Sequence, residues 1–241
     1  MSIEACGSDP YGAYFIMKWF LVVIVFFAFT CAGAAQSLNA ILSRMDATAP
    51  SFKGITAKLR MVTHTAILND DSTQNGMLHM RRLKPGEVRA LINFTDEKDK
   101  HTVAFGDRTV KMYYPNLNLV QVYDLGKNAK LIDQYLLLGF GSSGKDLQNS
   151  YEIKEAGTES INGKKATKLE LIPKSKDALE RLAKAELWFP EDADYPVQQK
   201  FYQPNGNFTV VTYSDFELNP SFNQKELELN TPPEVKTDHQ H

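Results

Sequence analysis

Hydrophobic residues at every second position constrain the fold of this chain more than any other feature of its sequence. The alternation is clear in Ile55–Met61 and in Val88–Phe94, and it is typical of strands that bury one face. Turn residues such as Asn162-Gly163 separate similar stretches further along. The other predicted strands are Met77–Met80, His101–Phe105, Thr109–Tyr114, Leu119–Tyr123, Tyr151–Ala156, Lys164–Ile172, Glu186–Phe189, Pro196–Tyr202 and Asn207–Leu218.

A helix is predicted before the first strand. Leu38, Ile41, Leu42 and Met45 have the spacing i, i+3, i+4 and i+7, which gives one apolar stripe on a helix that ends before Pro50. Such a stripe needs an apolar surface to cover it.

A second helical segment, residues 128–140, is apolar nearly all round. A helix of this kind is buried or covers an apolar surface, so we interpret it as a lid. The glycines and serines of 139–144 follow it and predict a flexible connector. A short helix is also predicted at Lys176–Lys184.

These elements predict a mainly β (α+β) fold. The strands follow one another without the helical crossovers that parallel strands require. A sheet of this length curls rather than staying flat, so we expect an open antiparallel half-barrel of about 11 strands, with an N-terminal helix and a helical lid.

The N-terminus has the features of an export signal. Lys18 precedes a short apolar run, and the small residues Ala32–Ala35 offer a cleavage site near Ala34 or Ala35. We therefore expect an N-terminal extension plus signal peptide over 1–35, with Met17 as the true start. One domain with a polar C-terminal tail follows over 36–241, and the predicted location is the periplasm.

Several classes of chemistry have no support in the sequence. The net charge of -2 argues against nucleic-acid binding. The loop Gly139-x4-Gly144-Lys145 has the spacing of a phosphate-binding loop, but Asp146 stands where Ser or Thr is required. The histidines lack metal-ligand spacing, and no nucleophile motif is present. We expect no enzyme, no metal and no cofactor.

Four segments in order resemble the LolA-like outer-membrane lipoprotein-sorting (lipoprotein carrier) family. They are Ser51–Leu59, Gly76–Arg82, Gly106–Pro115 and Leu227–Val235, which correspond to the family's first strand, its "G-x-l-x-x-k-R-P" segment, its "D-G-k-x-l-w-x-Y-x-P" turn and its closing segment. The resemblance implies an incomplete barrel with a helical lid.

The resemblance also implies a function. Proteins of this kind carry an acylated lipoprotein or lipid from an inner-membrane ABC exporter to an outer-membrane acceptor. The expected protein is thus a monomeric periplasmic carrier, and the alternative is a lipid- or lipoprotein-sensing regulatory module of the same fold. The family's lid-holding arginine corresponds to Arg82, with Arg81 or Lys84 as alternatives.

A carrier of this type needs an apolar cavity, because each methylene exposed to water costs about 0.8 kcal/mol. The strand faces and the lid are expected to supply it. The candidate residues are Leu131, Ile132, Tyr135, Leu136, Leu138, Phe140, Leu59, Met61, Met80, Ile92 and Tyr113.

Overall fold

The computed structural model describes residues 30–84, 87–221 and 223–240. Of the predicted N-terminal extension and signal peptide over 1–35, residues 1–29 lie outside this range. Among the described residues, no helix combines the length and the hydropathy needed to cross a membrane.

Twelve strands form a single open sheet with the order β12-β6-β5-β4-β3-β2-β1-β11-β10-β9-β8-β7. The strands are β1 Gly54–Thr65, β2 Asp70–Lys84, β3 Glu87–Phe94, β4 His101–Gly106, β5 Thr109–Tyr114, β6 Leu119–Asp124, β7 Tyr151–Ile161, β8 Lys164–Pro173, β9 Lys184–Pro190, β10 Gln198–Tyr202, β11 Phe208–Leu218 and β12 Lys236–Gln240. The open, mainly β architecture expected from the sequence is confirmed.

In the part of the chain that the structure describes, four α-helices and five short 3-10 turns accompany the sheet. The helices are α1 Thr30–Thr48, α2 Ala129–Leu136, α3 Gly144–Ser150 and α4 Lys176–Leu179, and the 3-10 turns are Ala49–Ser51, Glu97–Asp99, Pro115–Leu117, Gly126–Asn128 and Gln224–Leu227. Helices α2 and α4 are shorter than predicted, because turns replace their last residues. Helix α3 was not predicted.

The strand pattern follows directly from the alternation in the sequence. In β1, Ile55, Ala57 and Leu59 are buried, whereas Lys58 and Arg60 between and after them are exposed. The buried set defines the inner face of the sheet. Within the described sheet, every pairing is antiparallel except that of β12 with β6.

The two longer helices cover different parts of the inner face. Helix α1 packs Ile41, Leu42 and Met45 against β7, β8 and β9, as its apolar stripe predicted. Helix α2 lies over β1–β4 and over β10 and β11, where a second cluster of apolar residues is centred on β1 and β2. The sheet therefore has two covered regions side by side.

The C-terminal segment behaves differently from the expected polar tail. Its 3-10 turn Gln224–Leu227 lies against β2 and β3, and Leu227 is buried there. The backbone amide of Lys236 then donates to the carbonyl of Asn118 at 3.0 Å, where β12 starts to pair with β6. A strand made of polar residues forms here because backbone hydrogen bonds to an open sheet edge do not depend on side-chain hydropathy.

Candidate functional site

A cavity of about 340 Å³ lies between α2 and the inner face of the sheet. Its lining is formed by Leu59, Met61, Leu78, Met80, Ile92, Phe105, Ile132, Tyr135, Leu136, Phe140, Arg181, Leu182, Gln199, Phe201, Gln203, Thr209, Val211 and Tyr213. Most of these side chains are aliphatic or aromatic, and its volume lies at the small end of the range for ligand pockets.

One end of the cavity is closed. Leu59, Leu78, Met80 and Tyr213 are buried at this end, and Phe140 fills the space between the lid and the sheet. The Phe140 ring packs edge-on against Tyr213 with a centroid distance of 5.1 Å. This end is a well-packed apolar floor.

The other end is open. Arg181 and Gln203 line the cavity and are exposed, so they mark its mouth. The mouth lies towards the β10–β11 turn, where Asn207 accepts a hydrogen bond from the backbone amide of Ala66 in the β1–β2 turn. The next residue of that turn, Ile67, is 91% exposed.

Helix α2 supplies one wall of the cavity, and we call α2 together with the turn after it, residues 129–141, the lid. Ile132, Tyr135 and Leu136 have the spacing i, i+3 and i+4, so they share the face that lines the cavity. Within α2 itself no residue is fully buried. Across the described residues, the buried hydroxyl of Tyr135 has no hydrogen-bond partner, and burial raises its pKa.

Arg82 holds the C-terminal end of the lid. Its guanidinium donates to the carbonyl of Ala49 at 2.8 Å and to the carbonyl of Gly141, and it lies 5.3 Å from the centroid of the Phe52 ring. Burial lowers the pKa of Arg82, and the charge of Asp146 opposes this shift. One side chain thus links the lid, the end of α1 and the sheet.

Arg81 and Lys84 do not share this position. Arg81 is exposed because adjacent residues of a strand point to opposite faces of the sheet, so Arg81 points away from the face that Arg82 occupies. Lys84 forms an exposed ion pair with Glu87 at 2.8 Å. Of the three cations proposed from the sequence, Arg82 alone contacts the lid within the described structure.

Sequence reasoning missed a second lid contact. Gln199 is buried on β10, and its side-chain amide donates to the carbonyl of Leu138, while its side-chain carbonyl accepts from the Tyr213 hydroxyl at 2.7 Å. Burial raises the pKa of Tyr213. The sequence does not indicate that the side chain of a glutamine in a predicted strand points inwards. The contact of Gln199 with the lid is apparent only from the register of β9, β10 and β11.

The N-terminal half of the lid contacts β3. The carboxylate of Asp133 lies beside the backbone of Val88. Burial and the nearby Glu87 raise the pKa of Asp133, whereas the backbone of Val88 lowers it, and the net shift is upwards. This contact was not predicted.

The glycines at the C-terminal end of the lid have a packing role, which the interpretation of 139–144 as a flexible connector did not include. Gly139 and Gly141 have φ of +80° and +79°, and a Cβ on Gly139 would lie 2.7 Å from Cγ of Pro196. Ser143 caps α3 together with Asp146 in a capping box. The loop with the spacing of a phosphate-binding loop is therefore a helix cap.

Most of the predicted cavity residues line the cavity. They are Leu59, Met61, Met80, Ile92, Ile132, Tyr135, Leu136 and Phe140. Leu138 lies in the cluster beneath α1 instead, and Leu131 is outside the lining. Tyr113 faces the opposite side of the sheet, because Val110 and Met112 occupy the inward positions of β5.

The histidines take structural positions. His64 pairs with Asp71 at 2.7 Å and stacks on Phe208, and His101 contacts the backbone of Asp99. Among the described residues, no three His, Cys, Asp or Glu side chains are grouped so as to hold a metal ion.

Comparisons with known proteins give no match in sequence: no family model matches the chain, and no curated protein resembles it significantly. Solved structures resemble it in fold. A DUF1329 family protein from Desulfovibrio piger is 16% identical, with 80% of this chain and 96% of that chain covered and a TM-score of 0.45.

Two further solved structures are similar to this chain. A putative outer membrane lipoprotein-sorting protein domain from Vibrio parahaemolyticus is 16% identical, with 79% and 94% of the two chains covered and a TM-score of 0.40. A LolA superfamily protein from Nitrosomonas europaea is 15% identical, with 81% and 98% covered and a TM-score of 0.39. At these TM-scores, the functional interpretation depends on the cavity and lid of this chain.

Proposed function

We propose that this protein is a periplasmic carrier that binds the acyl chains of lipoproteins in its cavity and moves them from the inner to the outer membrane. The observation that carries the proposal is the apolar cavity beneath a lid whose own helix buries no residue completely. A closed apolar floor and an open mouth suit a ligand with an apolar tail and a polar end.

The energetics of such a ligand favour burial. A chain of about a dozen methylenes gains about 10 kcal/mol when it leaves water, before the entropy of binding is subtracted. In the empty protein, Leu136 and Phe140 cover the cavity walls that would otherwise be exposed. Loading exchanges these contacts for contacts with the ligand, so uptake and release are balanced and hand-over is possible.

The lid contacts support this exchange. Arg82, Gln199 and Asp133 hold the lid by polar contacts at defined points. Each hydrogen bond contributes about 1 kcal/mol net to the free energy of the closed lid. The free energy gained by burying an acyl chain therefore exceeds that of several such bonds. Helix α2, which has no fully buried residue, would open by losing a few directional contacts, while the buried Leu138 and Phe140 would keep the C-terminal end of the lid packed.

The remaining parts of the proposal concern partners and chemistry. An inner-membrane ABC exporter would load the monomer, and an outer-membrane acceptor would unload it. Binding and release would suffice without catalysis: the cavity lining contains Arg181 as its one formally charged side chain and no pair of carboxylates.

Uptake of a fluorescent dipalmitoylated cysteine peptide tests the proposal. We expect the purified wild-type protein to bind the peptide and Leu136→Glu to bind at least tenfold more weakly, because a buried carboxylate opposes an acyl chain. Gln134→Glu adds the same charge to an exposed position of α2 and serves as the matched control.

Two outcomes would contradict the proposal. One is a wild-type protein that takes up no acylated peptide. The other is equal binding by Leu136→Glu and Gln134→Glu, which would mean that the peptide binds outside the cavity.

A further inference from the structure

The mouth of the cavity carries a positively charged side chain. Arg181 is the one formally charged residue in the lining, and it lies in the turn after α4, immediately before the buried Leu182. Within the described chain, its guanidinium forms no hydrogen bond and no ion pair with a carboxylate. A cation without a carboxylate partner at the mouth of an apolar cavity is a candidate for binding an anion.

Other polar groups lie at the same end of the cavity. Gln203, at the end of β10, is exposed and lines the mouth beside Thr209 of β11. The buried hydroxyl of Tyr135 also lines the cavity without a partner among the described residues, and it lies close enough to Arg181 for that charge to affect its pKa. Hydrogen-bond donors therefore lie together at the open end of the apolar cavity.

We propose that Arg181, with Gln203 and the Tyr135 hydroxyl, binds an anionic group, a carboxylate or a phosphate, that is attached directly to an acyl chain held in the cavity. This inference rests on the acyl-binding cavity of the proposed function and adds a second class of ligand to it, single-chain ligands with an anionic head. A guanidinium presents a planar set of donors that matches both anions.

The dimensions of the cavity agree with this assignment. A volume of about 340 Å³ with the lid closed favours a single chain over several chains. A single chain that fills the apolar floor leaves its head at the mouth, where Arg181 is exposed. The head group would therefore add selectivity, while the chain would supply most of the affinity.

Displacement of the neutral fluorescent probe N-phenyl-1-naphthylamine by three ligands with the same chain tests the inference. The ligands are dodecanoate, dodecyl phosphate and dodecanol. We expect the wild type to bind both anions about fivefold more tightly than dodecanol, a factor typical of one exposed charge pair. Added salt should reduce this preference without changing dodecanol binding.

Arg181→Gln should remove the preference for the anions and leave dodecanol binding within about twofold, because the apolar walls are unchanged. Arg181→Lys should retain part of the preference. The control is Arg60→Gln, since Arg60 is an exposed arginine outside the cavity lining, on β1. Inorganic phosphate alone should not displace the probe, which separates an anionic lipid head from a free anion.

The outcomes separate the two proposals. Equal binding of the three ligands by the wild type, or equal weakening of all three by Arg181→Gln, overturns the role of Arg181 and leaves the cavity as an acyl site. Displacement by none of the three overturns the acyl cavity and the role of Arg181 together.

Discussion

The two regions of the inner face are built from the same kind of strand but are covered in different ways. Beneath α1, Leu169, Leu171 and Leu187 are completely buried against Ile41 and its neighbours. Beneath α2, half-buried side chains such as those of Met61, Ile92 and Val211 border open space. A continuous sheet thus carries a packed core and a cavity next to each other.

The difference lies in the covering helices. Helix α1 buries its apolar stripe, whereas α2 has no fully buried residue and is held by polar contacts near its ends. A packed helix is stabilised by dispersion and by burial of apolar area, which are lost only on unfolding. A helix held by a few hydrogen bonds can leave while the sheet stays folded.

Truncation of one leucine in each region gives the largest expected contrast. Leu187→Ala removes a completely buried side chain, so the free energy of unfolding should fall by about 2–5 kcal/mol. Leu136→Ala enlarges a cavity that already exists, and the loss should be about 1 kcal/mol or less. Urea denaturation measures both, and equal losses would contradict the contrast between the regions.

Gly141→Ala should give the next largest effect. A Cβ at this position would meet the Phe52 ring and the Arg82 guanidinium, and φ is +79°. Gly163→Ala is the matched control, because its φ of +77° is similar but nothing lies within 4 Å of the added Cβ. We expect a loss of about 1 kcal/mol for Gly163→Ala from the backbone alone, and about 2–3 kcal/mol for Gly141→Ala. Equal losses in thermal or urea unfolding would mean that the lid end is not tightly packed.

Gln199→Ala should act mainly on the lid. It leaves the Tyr213 hydroxyl and the Leu138 carbonyl without their partner, at a cost of about 1–3 kcal/mol. Hydrogen exchange should become faster for amides 137–141, and those of α1 should keep their protection. Faster exchange in α1 to the same extent would show that the two covered regions open together.

The sequence predicted much of this arrangement because the periodicity of apolar residues reports directly on burial. The stripe on α1 and the inward residues of β1, β2 and β3 follow from spacing alone. Arg82 was found through a resemblance in sequence, which located the arginine but not the carbonyl groups that it contacts.

The unpredicted parts depend on contacts between segments far apart in the chain. Gln199 and Arg181 have no local signal, because their positions follow from strand register and from the turn after α4. Strand β12 consists of polar residues, and an edge pairing made only by the backbone leaves no trace in hydropathy. The role of Gly139 and Gly141 as packing positions likewise requires the neighbouring side chains to be known.

Asp133 gives the smallest expected effect and depends on pH. Its pKa is raised in the folded protein, so the native state holds the proton more tightly than the unfolded chain does. The stabilising contribution is complete below the usual pKa of aspartate, about 3.9, and is lost as the pH rises through the raised value. The difference in unfolding free energy between the wild type and Asp133→Asn, measured from pH 3 to 7, should follow this direction. A difference that does not change with pH would contradict it.

Native mass spectrometry of the purified protein, followed by lipid extraction, tests the central claim most directly. We expect co-purifying acyl species on the wild type and on Gln134→Glu, and their loss from Leu136→Glu. A wild-type protein that carries no acyl species, or one that carries the same amount as Leu136→Glu, would contradict a lipid-binding cavity beneath the lid.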